Sequence, residues 1–306
     1  MLTDYPDDEI AVEYKEYPEL SEIITPYCQT VNLPGYLRIS LLEACNQKCF
    51  FCHNEGYSGS TKNKIDPISV YKVIDASVRL GKKRFKFTGG EPTLDNNLIH
   101  YIKYIKTRYE CSTVGIVTNG MRLRELADAL YESGLDDIVV SLQSLNEKTY
   151  KRVTGVDDVA QVIDGLKAVA KYSFRKITLN VPVSRFNIAE VPKIADFAKA
   201  NNFKIRLLDI LPVNDVTDSD LVSFAELQRK FQSIELKSKQ YHPKCKNCSK
   251  RGMCGEGDYL RLSARGTLDP CLYREDLKIS LDTKDSIGLL KKKLALGFRR
   301  IERDDL

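Results

Sequence analysis

Cys45, Cys49 and Cys52 stand in the spacing C-x3-C-x2-C within the octapeptide Cys45-Asn-Gln-Lys-Cys49-Phe-Phe-Cys52. Three thiolates so close together can ligate three irons of a four-iron cluster, one cysteine fewer than the four with which ferredoxins fill theirs. The fourth iron is then open to a small molecule, and an open iron implies chemistry rather than electron storage. A zinc site made by these cysteines with His53 is the other chemistry the spacing allows. Zinc ribbons, however, pair C-x2-C units across a gap, whereas these three crowd one loop.

A second group, Cys245-x2-Cys248-x5-Cys254-x16-Cys271, offers four thiolates, enough to fill another four-iron cluster or a four-cysteine zinc knuckle. Cys28 and Cys111 stand alone and read as ordinary thiols. Nine cysteines grouped in this way point to metal or redox work rather than to a disulfide framework.

Such groups need a scaffold. Six β-rich runs recur between helix-like stretches: Leu37 to Leu41, Arg84 to Thr88, Val114 to Thr118, Ile138 to Ser141, Ile177 to Val183 and Ile205 to Ile210. Amphipathic stretches at Ile68 to Leu80, Val159 to Lys171 and Phe224 to Ile234 read as helices. The repetition predicts an α/β fold, a partial (β/α)6 TIM-like barrel of parallel strands with right-handed crossovers, followed by a small C-terminal auxiliary-cluster domain. A doubly wound sheet is the alternative, though no Gly-x-Gly-x-x-Gly follows the first run. The expected divisions are an N-terminal extension at 1–34, the barrel at 35–215 and the auxiliary iron–sulfur region at 216–306.

Parallel barrels work at the carboxyl ends of their strands, and the candidate residues fall there. Cys45 follows the first run, Gly89-Gly90-Glu91-Pro92 the second and Thr118-Asn119-Gly120 the third, while Ser141-Leu142-Gln143-Ser144 ends the fourth. A glycine pair after a strand lets backbone approach a ligand closely, and Glu91 reads as a residue that turns the strand or holds a loop.

The 306 residues, 42% of them hydrophobic, supply a sizeable core and argue against disorder. No run approaches the roughly 18 apolar residues of a membrane span, and the acidic start MLTDYPDDEI is unlike a secretory leader. The expectation is a cytoplasmic protein without a membrane partner. A formal net charge of +5 suits an anionic small-molecule substrate. Nucleic acid is not the expected partner, because the densest basic run, Lys291-Lys292-Lys293, lies in a helical pattern and reads as a solvated face.

Taken together, these motifs resemble the radical S-adenosylmethionine (SAM) superfamily, and in their order along the chain the GTP 3′,8-cyclase family of molybdenum cofactor biosynthesis. The resemblance runs from about Leu37 to Tyr273 through YLRIS, FKFTGGEPTL, VTNG, VVSLQSL followed by VTG, LNVPVSRFN, IRLLDILP and YLRLSARGTLDPCL. It implies SAM and a [4Fe-4S] cluster on Cys45, Cys49 and Cys52, with SAM cleaved to a 5′-deoxyadenosyl radical that takes hydrogen from the substrate. A flavodoxin- or ferredoxin-type electron donor is implied with it. Position by position, Phe51, Gly90, Ser141 and Leu211 match cofactor contacts, Phe51 near the adenine and Gly90-Glu91 at the methionine amino group. Arg38, Lys86, Thr118 and Arg261 match positions that hold a purine triphosphate, and Arg and Lys suit phosphate as fork and point charge.

The sequence also departs from that family. Thr178 replaces its strand-five lysine, with Lys176 two residues earlier on the same strand face, and Tyr259 replaces the first arginine of an Arg-x-Arg pair. In the second cysteine group, Cys254 and Cys271 match the first and last ligands of the family's auxiliary [4Fe-4S] cluster. Gly257 stands at the middle ligand, and Cys245 and Cys248 are extra. Four ligands would leave this second cluster no open iron. The same segment resembles the SPASM and twitch domains of peptide- and sugar-modifying radical enzymes. A twitch-type maturase or dehydrogenase acting on a peptide or sugar therefore stands as one alternative, and a non-enzymatic iron–sulfur or zinc sensor as another.

Overall fold

The computed structural model of the chain describes residues 35–52, 63–210, 216–237, 259–271 and 274–302, the side chains of 299–302 excepted. The expected N-terminal extension, His53, Leu211, Cys245, Cys248 and Cys254 lie outside the described residues.

The six expected runs are strands β1 (Tyr36–Ser40), β2 (Arg84–Thr88), β3 (Thr113–Thr118), β4 (Asp137–Ser141), β5 (Lys176–Pro182) and β6 (Lys204–Leu208). Each pairs in parallel with the next. Between them run α1 (Pro67–Arg79), α2 (Leu98–Arg108), α3 (Leu123–Glu132), α4 (Glu147–Thr154), α5 (Val159–Val169) and α6 (Val191–Ala200). Local chemistry sets several of their ends. Asp66 accepts from the Ser69 N–H before α1, with Pro67 in its first turn. Asn146 accepts from Thr149 before α4, which closes on Gly155 at φ +75°.

Alternation along each strand separates two environments. Leu37, Ile39, Phe85, Phe87, Val114, Ile116, Ile138, Val140, Leu179 and Val181 are buried in the hydrophobic core, and Phe87 stacks on Tyr101 of α2 at 5.9 Å. The helices therefore cover this face. Arg38, Lys86, Gly115, Val139 and Thr178 point to the opposite face, the inside of a partial (β/α)6 barrel.

Four short strands extend this sheet. β7 (Glu235–Lys237) joins β6 in parallel. β8 (Tyr259–Leu262) joins β1 in parallel, and β9 (Thr267–Asp269) and β10 (Ile279–Ser280) follow antiparallel. The order is β10-β9-β8-β1-β2-β3-β4-β5-β6-β7, so the strands after residue 258 continue the barrel's own sheet. The last helix, α8 (Ile287–Glu302), packs on α1 and β8. Gly297 lets Leu260 in, since a Cβ there would lie 2.8 Å from Leu260 Cδ2. Lys72 of α1 donates to the carbonyls of Thr283 and Asp285, at 2.8 and 3.0 Å.

The helix α7 (Phe224–Lys230) stops four residues short of Ile234, at Phe231. In α8, Lys291 and Lys292 are exposed as expected, while Lys293 pairs with Asp285 at 2.5 Å. Cys111 is disulfide-bonded rather than a simple thiol. No described helix is long and apolar enough to cross a membrane.

Candidate active site

The stem of the cysteine loop, Leu42 to Ala44, lies along the turn after β2. Gly90 N–H donates to Leu42 O at 2.7 Å and Glu91 N–H to Ala44 O at 2.8 Å. A Cβ on Gly90 would stand 2.1 Å from Ala44 O, and one on Gly89, at φ +141°, 2.4 Å from Leu42 O. The side of each glycine on which a Cβ would stand is filled by the backbone of the loop stem. Gly89 and Gly90 are the bed on which the cysteine loop rests.

Glu91 does hold a loop. Its carboxylate is 1% exposed and accepts from Thr93 N and Oγ1, from Thr118 Oγ1 and from Asn119 N, at 3.0, 2.6, 2.6 and 2.6 Å. Burial pushes its pKa up, and the four donors work against that rise. Thr118 Oγ1 also accepts from Gly120 N at 3.0 Å, so its hydroxyl is committed to the protein. Asn119, to which its place in the sequence attaches no role, donates to Asn46 Oδ1 at 2.6 Å and reaches Cys45 Sγ at 3.9 Å. The ends of β2 and β3 thus meet the cysteine loop through one carboxylate and one amide.

Helix α4 holds the other side of the loop. Lys48 N–H donates to Thr154 O at 2.8 Å and Phe50 N–H to Val153 O at 3.2 Å, using carbonyls of the last helical turn that have no partner within the helix. Gly155 keeps the approach open, a Cβ there being 3.2 Å from the Lys48 carbonyl oxygen. Gln47 Nε2 lies 2.6 Å from the Tyr150 hydroxyl, and its Oε1 lies 3.5 Å from Cys49 Sγ. Phe50 packs edge-on against both Phe51 and Phe186, with centroids at 5.5 and 5.3 Å, and Arg152 of α4 covers Phe186 at 3.8 Å.

Cys45, Cys49 and Cys52 are all free thiols. Burial pushes Cys45 up to about 11 and Cys49 higher still, and in both the neighbouring thiols add to the rise. Three sulfurs that repel one another as thiolates call for a cationic group among them. Among the described residues no three His, Cys, Asp or Glu side chains gather around one point as a single metal ion requires. A four-iron cluster spreads its thiolates over separate irons, and the donor set fits it. Ser40 Oγ, Gln143 Oε1 and Asn180 Oδ1 are buried without a hydrogen-bond partner. They sit on the inner face or at the carboxyl ends of β1, β4 and β5, where a polar ligand would satisfy them. Ser141, half-buried at the end of β4, is in register with Asn180.

Deeper in the barrel, Arg261 of β8, Arg38 of β1 and Lys86 of β2 are in register on adjacent strands. Three cations therefore share one inward-facing row. Arg261 is 2% exposed, and Arg38 Nη2 donates to Thr88 Oγ1 at 3.1 Å. Two aromatic rings support the row. Tyr36 and Tyr259 lie 5.1 Å apart, Arg38 and Arg261 cover Tyr259 at 5.6 and 5.8 Å, and Lys86 covers Tyr36 at 5.1 Å. Tyr259, a departure from the expected arginine, thus braces two of the three cations. Thr178 is buried two strands beyond Gly115, and Lys176 is in register with Asp137.

A parallel partial barrel with a three-cysteine loop at its carboxyl end defines a class. Residues 39–198, more than half of the chain, match the family described as the Radical SAM superfamily, and the chain belongs to that superfamily. It is a radical SAM enzyme, of a family whose members use SAM and a [4Fe-4S] cluster and cleave SAM, which sets the non-enzymatic sensor aside. Within the superfamily the chain is similar to the probable GTP 3′,8-cyclase of Sulfurisphaera tokodaii, 33% identical over 262 residues that cover 80% of this chain and 83% of that one. The probable GTP 3′,8-cyclase of Sulfolobus acidocaldarius is 32% identical over 292 residues, covering 86% and 91%. The fold is shared with Streptococcus suis SuiB bound to S-adenosylmethionine, at TM-score 0.65 and 17% identity over 98% of this chain and 74% of that chain. It is also shared with anSMEcpe with bound AdoMet, at TM-score 0.65 and 16% identity over 90% and 84%.

Proposed function

We propose that this chain is a GTP 3′,8-cyclase-like lyase acting on a small phosphorylated purine nucleotide. The observation that carries this reading is the inward row Arg261, Arg38 and Lys86, which sets a fork, a fork and a point charge side by side for the oxygens of an anion. Cys45, Cys49 and Cys52 hold the [4Fe-4S] cluster. Phe51, Gly90, Glu91, Ser141 and Leu211 are assigned to the SAM site, with Glu91 acting through the loops it binds rather than on the cofactor. When bound, the cluster and SAM supply a 5′-deoxyadenosyl radical through one-electron cleavage of a carbon–sulfur bond. The chain's own part is to position substrate against that chemistry and to keep water away from it. Thr118 belongs to the substrate side only through the Glu91 carboxylate that it orders.

The electron comes from a flavodoxin- or ferredoxin-type donor. Cys245, Cys248, Cys254 and Cys271 hold a second [4Fe-4S] cluster with no open iron. Cys271, two residues past β9, lies close in sequence to the strand that brings Arg261 to the barrel. On this reading the region from 216 onward supplies both an auxiliary cluster and one wall of the substrate site.

The test is 5′-deoxyadenosine formation by the anaerobically reconstituted, reduced chain, with GTP, with other nucleotides and without substrate. Release of 5′-deoxyadenosine that depends on GTP, with matching loss of GTP, is the expected result. Slow release indifferent to every nucleotide would overturn the substrate assignment and leave the radical chemistry standing.

A further inference from the structure

Cys45 and Cys49 have different hydrogen-bond partners. Cys45 Sγ receives the backbone N–H of Gln47 at 3.4 Å, with the Asn119 amide at 3.9 Å. Cys49 Sγ instead faces a side chain, the Oε1 of Gln47 at 3.5 Å, and the other end of that amide meets the Tyr150 hydroxyl at 2.6 Å. In this arrangement the thiol donates to the amide oxygen and the amide donates to tyrosine. A thiolate on iron carries no proton and can only accept. An amide oxygen kept toward it would set lone pairs against a negative sulfur.

The remedy is built into the same two side chains. The two ends of a glutamine amide have nearly the same shape, and a tyrosine hydroxyl both donates and accepts. A half-turn of the Gln47 amide restores both bonds with their direction reversed: Tyr150 O–H donates to Oε1, and Nε2–H donates to the sulfur. Both residues are buried, at 7% and 0% exposure, and Tyr150 sits in the helix whose last carbonyls already hold the loop.

We propose that Gln47, oriented by Tyr150, is a positioning residue that donates an N–H···S hydrogen bond to Cys49 and thereby raises the reduction potential of the cluster. The inference rests on assigning that cluster to Cys45, Cys49 and Cys52. Hydrogen bonds to ligand sulfurs stabilise the more negative, reduced state, so losing one moves the midpoint downward.

The experiment is a potentiometric titration of the reconstituted full chain followed by electron paramagnetic resonance, the signal being assigned to this cluster by its change on adding SAM. Wild type, Gln47→Leu, Gln47→Glu and Tyr150→Phe are compared. Gln47→Leu is expected to weaken one-electron reduction by roughly tenfold, a downward shift of about 59 mV. Gln47→Glu, which keeps the shape but loses the N–H donor and adds negative charge, should shift at least as far. It also keeps the test open if the leucine variant takes up no iron. Tyr150→Phe should shift in the same direction by less. Unchanged midpoints in both Gln47 variants, with the cluster intact, would overturn the inference and leave the cluster assignment standing. A SAM-responsive signal that survives replacing Cys45, Cys49 and Cys52 together by alanine would overturn both.

Discussion

Gly90 makes the tightest steric demand in the site, and it makes it on main chain rather than on a movable side chain. A methyl group 2.1 Å from Ala44 O cannot be absorbed by a rotamer change. Gly90→Ala is therefore expected to dislodge the cysteine loop while the rest of the barrel folds. Iron per chain after reconstitution should fall sharply with the far-ultraviolet circular dichroism retained; a normal iron content would refute it. Lys86 offers a different test, because it touches the proposed anion and not the cluster. Removing one charge-assisted hydrogen bond of about 1.5–3 kcal/mol should raise the KM for nucleotide in Lys86→Ala by roughly ten- to a hundredfold. Substrate-independent SAM cleavage should stay level. At this scale the cysteines and the Gly90-Glu91 turn were legible, since their chemistry is carried by short spacing. The Gln47–Tyr150 contact was not: it spans 103 residues, and nothing in the sequence around Tyr150 marks it as a partner of the cysteine loop.

Among the elements, α1 and α2 enclose a buried acid. Asp75 Oδ1 accepts from the hydroxyls of Tyr104 and Tyr109, both at 2.7 Å, while Oδ2 is buried without a hydrogen-bond partner. Burial raises its pKa against the pull of the two tyrosines and of Arg108 and Arg79. With the folded value above the unfolded one, the stability this group contributes is complete at low pH, below its ordinary carboxyl range. It is lost as pH rises through the raised value. Asp75→Asn keeps an oxygen for both tyrosines and cannot ionise. Its melting temperature should therefore hold steady through the interval in which the wild type declines, a comparison made by thermal scans from about pH 4 to 8. Parallel curves would show that Asp75 does not titrate there. The strands β1 to β6 were readable because short runs rich in β-branched and aromatic residues recur between helix-like stretches. The strands β7, β9 and β10, two or three residues each, are too short to show a period, and nothing local marks β8 as the neighbour of β1.

For the molecule as a whole, that pairing matters most. β8 covers the edge that β1 would otherwise present, and α8 covers α1. A chain ended at residue 258 should lose Arg261 from the row and expose an unpaired strand edge of the kind that aggregates. Size-exclusion chromatography is expected to find oligomers or aggregate in place of the full chain's profile, and a truncated chain that elutes cleanly and still binds GTP would contradict this. The sequence placed the barrel and the later region side by side as expected divisions. The three-dimensional pairing sets residues drawn from both in one inward row.

The β1–β8 seam also has a consequence in time. Arg38 emerges from the ribosome more than two hundred residues before Arg261, a gap of about 11–45 s at about 5–20 residues/s. Once Lys86 is out, the nascent chain carries its cysteine loop and two of its three cations, but no complete cradle for an anion. On the proposed function, nucleotide binding is thus withheld until β8 has been made, and a ribosome stalled before residue 259 is expected to release a chain that takes up iron but does not hold its substrate.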